Sequence, residues 1–120
     1  MFINNGRHFT KRPLPSRAQV SPVFALLIDD VNNDGRKDIV AGGNLYGLKP
    51  ELGRYDADYG TVLLGNGENG FTYLSPQQSG FFYQGQVRDI ATAKTKKGKL
   101  MLVSRNNESL MVFKPVAHKK

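Results

Sequence analysis

Short apolar runs, separated by clusters of glycine, asparagine, aspartate and proline, follow one another along most of this chain. No stretch keeps apolar residues at a 3.6-residue period for three turns, so the pattern argues against long helices. Short strands with regular turn signals predict an all-β fold built as a sandwich, a barrel or a propeller. The predicted strands cover residues 24–28, 38–41, 61–64, 71–74, 88–93, 100–104 and 109–113.

Comparison of the chain with itself indicates an internal repeat, which is the first pattern to seek in a chain of this kind. At an offset of 63 positions Gly35 falls on Gly98 and Asn44 falls on Asn107. Each copy reads as a strand, a glycine-bearing hairpin, a second strand and an asparagine. The next strand follows Asn107 at once but comes much later after Asn44, which predicts an insertion of about fourteen residues at 45–58 relative to a usual hairpin loop.

A shorter echo extends the repeat toward the N-terminus. Residues 5–10 resemble residues 66–72, and both segments then run on to a proline. The 120 residues are therefore interpreted as one domain of repeated units. In this interpretation, 2–22 form the end of a preceding unit, 23–76 form a complete four-stranded unit, and 81–115 form three strands of another.

Composition sets broad limits on the chain. Its 39% apolar and 22% charged residues are typical of a globular domain. The chain has no cysteine, which removes disulfides and thiolate metal sites. The first five residues lack the pattern of a signal peptide, and the longest apolar run, 23–28, is too short to span a membrane.

The net charge of +7 is concentrated toward the C-terminus. From Arg88 onward the chain contains nine lysines and arginines but only two acidic residues, Asp89 and Glu108. A basic small domain raises the hypothesis of nucleic-acid binding. These cations are scattered along alternating strands, so a solvated basic face is the favoured interpretation. A steep salt dependence of binding would support the nucleic-acid alternative.

Oxygen-bearing side chains recur at alternate positions of the segment 30–38, with a glycine in the middle. This spacing suits Ca²⁺, which takes six to eight oxygen ligands in a flexible shell. Gly35 permits the sharp turn. Three carboxylates within nine residues repel one another unless a cation lies among them. The predicted ligands are the side chains of Asp30, Asn32, Asp34 and Asp38 and the backbone carbonyl of Arg36.

The two alternatives to this calcium loop are an EF-hand and a metal-free turn. An EF-hand needs a glutamate at the twelfth position and a flanking helix on each side, whereas Ala41 holds that position here and the flanks read as strands. A metal-free turn rich in asparagine, aspartate and glycine stays open. The second copy of the loop should bind no Ca²⁺, because its equivalent positions are Ala93, Thr95, Lys97 and Met101.

The loop 30–38 and the turn 65–71 together resemble the FG-GAP/VCBS repeat family, the calcium-loop blades of integrin-type β-propellers. The family pattern is Asp-x-Asp-x-Asp-Gly-x-x-Asp between two strands, followed later by a Gly-Asp/Asn-Gly-x-Gly-x-Phe turn. Here Asn32 replaces the second aspartate, a conservative change of ligand. The segment 44–60 is similar to a C-terminal blade of bacterial VCBS-repeat proteins.

This resemblance implies β-propeller blades: about two four-stranded antiparallel blades, an incomplete propeller of which the full ring would hold about seven. Repeat units bury their apolar faces only against neighbours. The chain is therefore expected to be a homo-oligomer or a fragment of a longer protein. The implied function is a calcium-binding, non-catalytic module for protein or glycan interaction, extracellular, on the cell surface or periplasmic, with no nucleic acid partner and no membrane insertion.

The insertion 45–58 is the predicted partner-binding surface, because long loops on a rigid scaffold carry binding residues. Tyr46, Arg54 and Tyr55 are its candidate anchors, since tyrosine and arginine are favoured at interfaces. The alternative is a loop that packs on its own unit, with Arg54 paired to an aspartate. No acid and base pair has a fixed separation here, so the chain is not expected to be an enzyme.

Two further possibilities remain beside this interpretation, and a third is rejected. The parent protein could be a propeller lyase or glycosidase whose catalytic residues lie in other blades. The aromatic run 81–83 is interpreted as core packing, with an exposed sugar platform as the alternative. The glycines at 65–70 match a dinucleotide fingerprint by letter, but the residues after them open a strand and not a helix, so that hypothesis fails.

Overall fold

Strands that follow one another along the chain pair into three separate antiparallel sheets in the computed structural model, which describes residues 1–116. The first sheet pairs β1 (Phe2–Asn4) with β2 (Phe9–Lys11). The second has the order β3 (Val23–Asp29), β4 (Asp38–Gly43), β5 (Thr61–Gly65), β6 (Phe71–Leu74). The third has the order β7 (Val87–Thr95), β8 (Gly98–Arg105), β9 (Met111–Phe113).

The prediction of an all-β fold is confirmed, and each of the seven predicted strands lies within two residues of an observed one. The described residues otherwise form one α-helical turn, α1 (Pro76–Ser79), and the short 3₁₀ segments Ser16–Gln19 and Pro50–Leu52. None of these helices is long and apolar enough to cross a membrane. No sheet closes on itself within residues 1–116. His118, at the basic end of the chain, lies outside the described residues.

The second and third sheets share one meander order and the same register in their first hairpins. The paired rows are Leu27–Val40–Val62 and Ile90–Val103–Met111. The first two residues of each row keep the offset of 63 positions, whereas Val62 and Met111 are only 49 positions apart. The difference of 14 residues lies between β4 and β5, in the segment that contains the insertion 45–58.

The core lies between these two sheets, where the two rows face a shared set of aromatic side chains. Phe81 packs edge-on against Phe113 and Tyr83, with ring centroids 4.9 and 5.7 Å apart. Tyr83 and Val103 are completely buried. The segment between β6 and β7 therefore contributes two of the aromatic side chains of this core.

Contact between the sheets is closest along their first strands, where β7 packs against β3 and β4. Gly42 permits this approach, because a Cβ atom there would lie 2.8 Å from the Val87 side chain. At the other end of the strands, Lys99 Nζ lies 2.5 Å from an Asp29 carboxylate oxygen. This hydrogen bond lowers the pKa of Asp29 below its ordinary value.

The N-terminal hairpin pairs with itself. Ile3 lies opposite Thr10, so β1 and β2 form a two-stranded sheet of their own. Arg12 joins the hairpin to the second sheet by donating to the carbonyl oxygens of Glu68 and Asn69 at 3.1 and 3.2 Å. A two-stranded hairpin is marginally stable by itself, so these hydrogen bonds help to hold it against the second sheet.

Candidate metal centre and binding surface

Three of the predicted calcium ligands converge in the loop between β3 and β4. The Asp30 carboxylate accepts hydrogen bonds from the amides of Asp34 and Gly35 at 3.0 and 2.9 Å. The Asn32 amide oxygen accepts from the Asp34 amide at 3.1 Å, and its nitrogen donates to the Asp34 carboxylate at 3.1 Å. Gly35 has a φ of +84°, which the tight turn requires.

Asp38 differs from Asn32 and Asp34, whose side chains are exposed, and from Asp30, which is half-buried. It is completely buried, and its two oxygens accept from the amides of Val31 and Gly65, both at 2.9 Å. It therefore ties the loop to the end of β5. Arg36 donates its amide to Asp34 at 2.8 Å, and its side chain lies beside Gly67 in the turn between β5 and β6.

The loop offers an ionised carboxylate to a cation, but it does not gather a full cluster of charged ligands. Hydrogen bonds from the Arg36 amide and the Asn32 side chain lower the pKa of Asp34, which keeps it ionised. A carboxylate offers about four lone-pair sites, so amide bonds leave sites for a hard cation. Within residues 1–116, no three aspartate, glutamate, histidine or cysteine side chains gather closely enough to form a recognisable metal cluster. The loop thus brings Asp30, Asn32 and Asp34 together and leaves Asp38 bound to amides.

The equivalent hairpin between β7 and β8 has no such loop. Its strands pair as far as Thr95 and Gly98, which leaves Lys96 and Lys97 as the turn. The Thr95 hydroxyl donates to the Gly98 carbonyl at 2.7 Å and accepts from the Lys97 amide at 3.2 Å. Lysines therefore occupy the tip of this hairpin, where the first hairpin presents carboxylates.

The insertion brings its three candidate anchors together. Leu45 and Tyr55 exchange two backbone hydrogen bonds, at 2.8 and 2.9 Å, which close the insertion into a narrow loop. The Arg54 guanidinium lies 4.7 Å from the centre of the Tyr46 ring. Tyr55 stays 48% exposed. Arg54 thus stacks on a tyrosine. The sequence predicted only a contact with a partner or, as the alternative, a pairing with an aspartate.

A buried polar network closes the base of the insertion, and sequence reasoning did not find it. The Asn44 side chain donates to the carbonyls of Asp58 and Gly85 and accepts from the Asp58 amide and the Ser21 hydroxyl. Its backbone has a φ of +77°, and Asn107 has a φ of +57°. The match of these two asparagines in the self-comparison was the available signal.

Asp58 and Tyr83 continue this network into the core. The Asp58 carboxylate accepts from the Gly60 amide, the Thr61 hydroxyl and the Tyr83 hydroxyl, at 3.0, 3.2 and 2.5 Å. The Tyr83 hydroxyl in turn accepts from the Gly43 amide at 2.8 Å. Burial and the Asp58 carboxylate both raise the pKa of Tyr83, so its phenol stays protonated.

Comparison with known proteins finds no matching family model, no matching curated protein and no matching solved structure. What this chain binds is therefore inferred from its own residues. Three features bear on its function: the loop 30–38, the insertion 45–58 and the buried network between them.

Proposed function

We propose that the chain is a Ca²⁺-stabilised, non-catalytic binding module, whose sheets act as FG-GAP/VCBS-type propeller blades and whose insertion contacts a protein or glycan partner outside the cell. The observation that carries this proposal is the convergence of Asp30, Asn32 and Asp34 in one short loop. Carboxylate and amide oxygens at alternate positions are ligands that Ca²⁺ prefers.

A bound ion would act on stability, since the loop connects directly to the sheet. Asp38 joins the loop to β5 through the Gly65 amide, so an ion that orders the loop also orders the ends of three strands. Extracellular modules bind Ca²⁺ with dissociation constants of about 10⁻⁴–10⁻³ M, which fits a site with few charged ligands. A site of that affinity would be filled only where calcium is abundant, as it is outside the cell.

Two features of the sheets support the blade interpretation. Both large sheets are meanders in sequence order, and they contact each other most closely along their first strands, β3 and β7. Tyr46, Arg54 and Tyr55 lie in the loop between β4 and β5, and the Asn44 network holds the base of this loop. A rigid scaffold with a protruding aromatic loop is the usual design of a binding module.

Calcium titration by calorimetry tests the proposal. We expect the full chain to bind about one Ca²⁺ ion with a dissociation constant of about 10⁻⁴–10⁻³ M. Asp34→Ala should abolish binding, because it removes a charged ligand from the middle of the loop and the acceptor of the Asn32 side-chain amide. The β7–β8 hairpin should add no second site, since its tip carries Lys96 and Lys97.

The matched control is Asp56→Ala, the same substitution at an exposed position outside the loop. It should leave the calcium titration unchanged. Ca²⁺ at about 100 times its dissociation constant should raise the free energy of unfolding of the control by about 2.7 kcal/mol, and that of Asp34→Ala not at all. Undiminished uptake by Asp34→Ala would refute the metal site.

Association with further copies is a second expectation of the blade proposal. Leu26 and Ile28 on β3 are 63% and 64% exposed, and Val112 on β9 is 56% exposed. In the described part of the chain, β9 is also an open edge of its sheet, and open edges invite strand pairing. Light scattering over a concentration series should therefore give a mass above that of the single chain.

Leu26→Lys combined with Ile28→Lys should shift this association toward the monomer, because charges replace the apolar outer face of β3. Lys94→Ala, at an exposed position on β7, is the control and should leave the measured mass unchanged. A compact monomer of the unmodified chain at the highest concentration would contradict the expectation.

A further inference from the structure

We infer that a cleft beside the insertion binds a pyranose sugar of a neutral glycan. The cleft has a volume of about 460 Å³, which lies within the range of about 300–1,000 Å³ that small-molecule sites occupy. The residues that the inference uses are Arg17, Tyr59, Tyr73, Ser75, Gln77 and Phe82, all of which line the cleft.

Two parallel aromatic rings form the apolar wall of this cleft. The rings of Tyr59 and Phe82 are 6.1 Å apart with an angle of only 5° between their planes. They are 45% and 49% exposed, whereas the neighbouring rings of Phe81 and Tyr83 are buried. The stacked rings leave about half of their surface exposed, and an exposed aromatic ring complements the apolar C–H face of a pyranose, whose hydroxyl groups point sideways toward a polar rim.

The pair is held rigidly by the backbone beneath it. The Tyr83 amide donates to the Tyr59 carbonyl at 3.0 Å, which sets the two segments side by side. Gly60 allows this approach, because a Cβ atom there would lie 2.1 Å from the Phe81 carbonyl oxygen. The buried Asp58 carboxylate then fixes the Gly60 amide. A rigid platform loses little conformational entropy when a ligand binds.

The polar rim favours an uncharged ligand with many hydroxyl groups. Tyr73, Ser75 and Gln77 supply a phenol, a hydroxyl and an exposed amide, and within residues 1–116 Arg17 is the one cationic residue that lines the cleft. Single-stranded nucleic acid needs a row of cations along its backbone beside stacking aromatics. The basic residues of the β7–β8 hairpin are absent from the lining of the cleft. The lining therefore suits a sugar better than a single-stranded nucleic acid.

This inference rests on the proposed role as a binding module but does not depend on the calcium site. The two can therefore fail separately. Asp34→Ala should lose Ca²⁺ and keep sugar binding, whereas Phe82→Ala should lose sugar binding and keep Ca²⁺.

The test is a titration of the isotope-labelled full chain, followed by amide chemical shifts. The probes are cellotetraose and tetra-N-acetylchitotetraose as neutral pyranose chains, with a decaproline peptide and an oligothymidylate as competing classes. At millimolar concentrations at least one tetrasaccharide should shift the amides of residues 58–61 and 81–83. The peptide and the oligonucleotide should leave them unchanged.

Phe82→Ala and Gln77→Ala, which remove a ring and an amide from the lining of the cleft, should each weaken the binding tenfold or more. Phe9→Ala is the matched control, since Phe9 is an exposed phenylalanine on the N-terminal hairpin, and it should bind as the unmodified chain does. The inference is overturned if neither tetrasaccharide shifts these amides, if Phe82→Ala binds normally, or if only the peptide or the oligonucleotide binds.

Discussion

Replacing Gly43 by alanine should lower the free energy of unfolding by about 3 kcal/mol. The added Cβ atom would lie 1.7 Å from the carbonyl oxygen of Pro22, a backbone atom that cannot turn aside. That carbonyl also accepts the Asn44 amide at 3.1 Å, and the Gly43 amide donates to Tyr83. The start of β3 would therefore have to separate from the end of β4.

Urea denaturation measures this effect, with a shift of the midpoint at constant slope as the expected result. Gly47→Ala is the matched control, because no atom lies within 4 Å of the position that its Cβ would occupy. It should change the free energy of unfolding by less than about 1 kcal/mol. A midpoint for Gly43→Ala equal to that of the control would mean that Pro22 and Gly43 are not in contact in solution.

Replacing Asp58 by alanine should have an effect of similar size for an electrostatic reason. The substitution leaves the hydroxyl of Tyr83, the amide of Gly60 and the hydroxyl of Thr61 without their acceptor. Tyr83 and Thr61 are 0% and 4% exposed, so water cannot replace the carboxylate easily. At about 1–3 kcal/mol for each unsatisfied buried group, we expect a loss of at least about 3 kcal/mol. Total stabilities are typically only about 5–15 kcal/mol.

A double-mutant cycle separates this network from simple loss of packing. Tyr83→Phe removes one of the donors that Asp58→Ala leaves stranded, so the double mutant should lose less than the sum of the two single losses, by about 0.5–3 kcal/mol. Asp56→Ala, two residues away and exposed, should stay within about 0.5 kcal/mol of the unmodified chain. Strict additivity in the cycle would show that Asp58 and Tyr83 act independently.

The sequence by itself determined the seven strands of the two large sheets, though not β1 and β2, because short apolar runs and the chemistry of turns are local properties. The runs at 24–28 and 100–104 lie inside β3 and β8. It also indicated the insertion, whose 14 residues reappear as the drop in register offset from 63 positions to 49. The convergence of Asp30, Asn32 and Asp34 was predictable for the same reason, since all three lie within five residues of one another.

Only the tertiary structure decided the roles of residues that meet across long separations in sequence. Asp38 is predicted as a ligand beside Asp30, Asn32 and Asp34, and only the fold shows that its carboxylate is buried and accepts from the amide of Gly65, 27 positions later. Asp58 gave no sign of a partner, yet its carboxylate meets Tyr83, 25 positions later. Within the run 81–83 the sequence did not show which ring would be left outside, and the structure leaves Phe82 beside Tyr59. Local patterns set which face of a strand is apolar, but burial depends on which segment the chain path lays against that face.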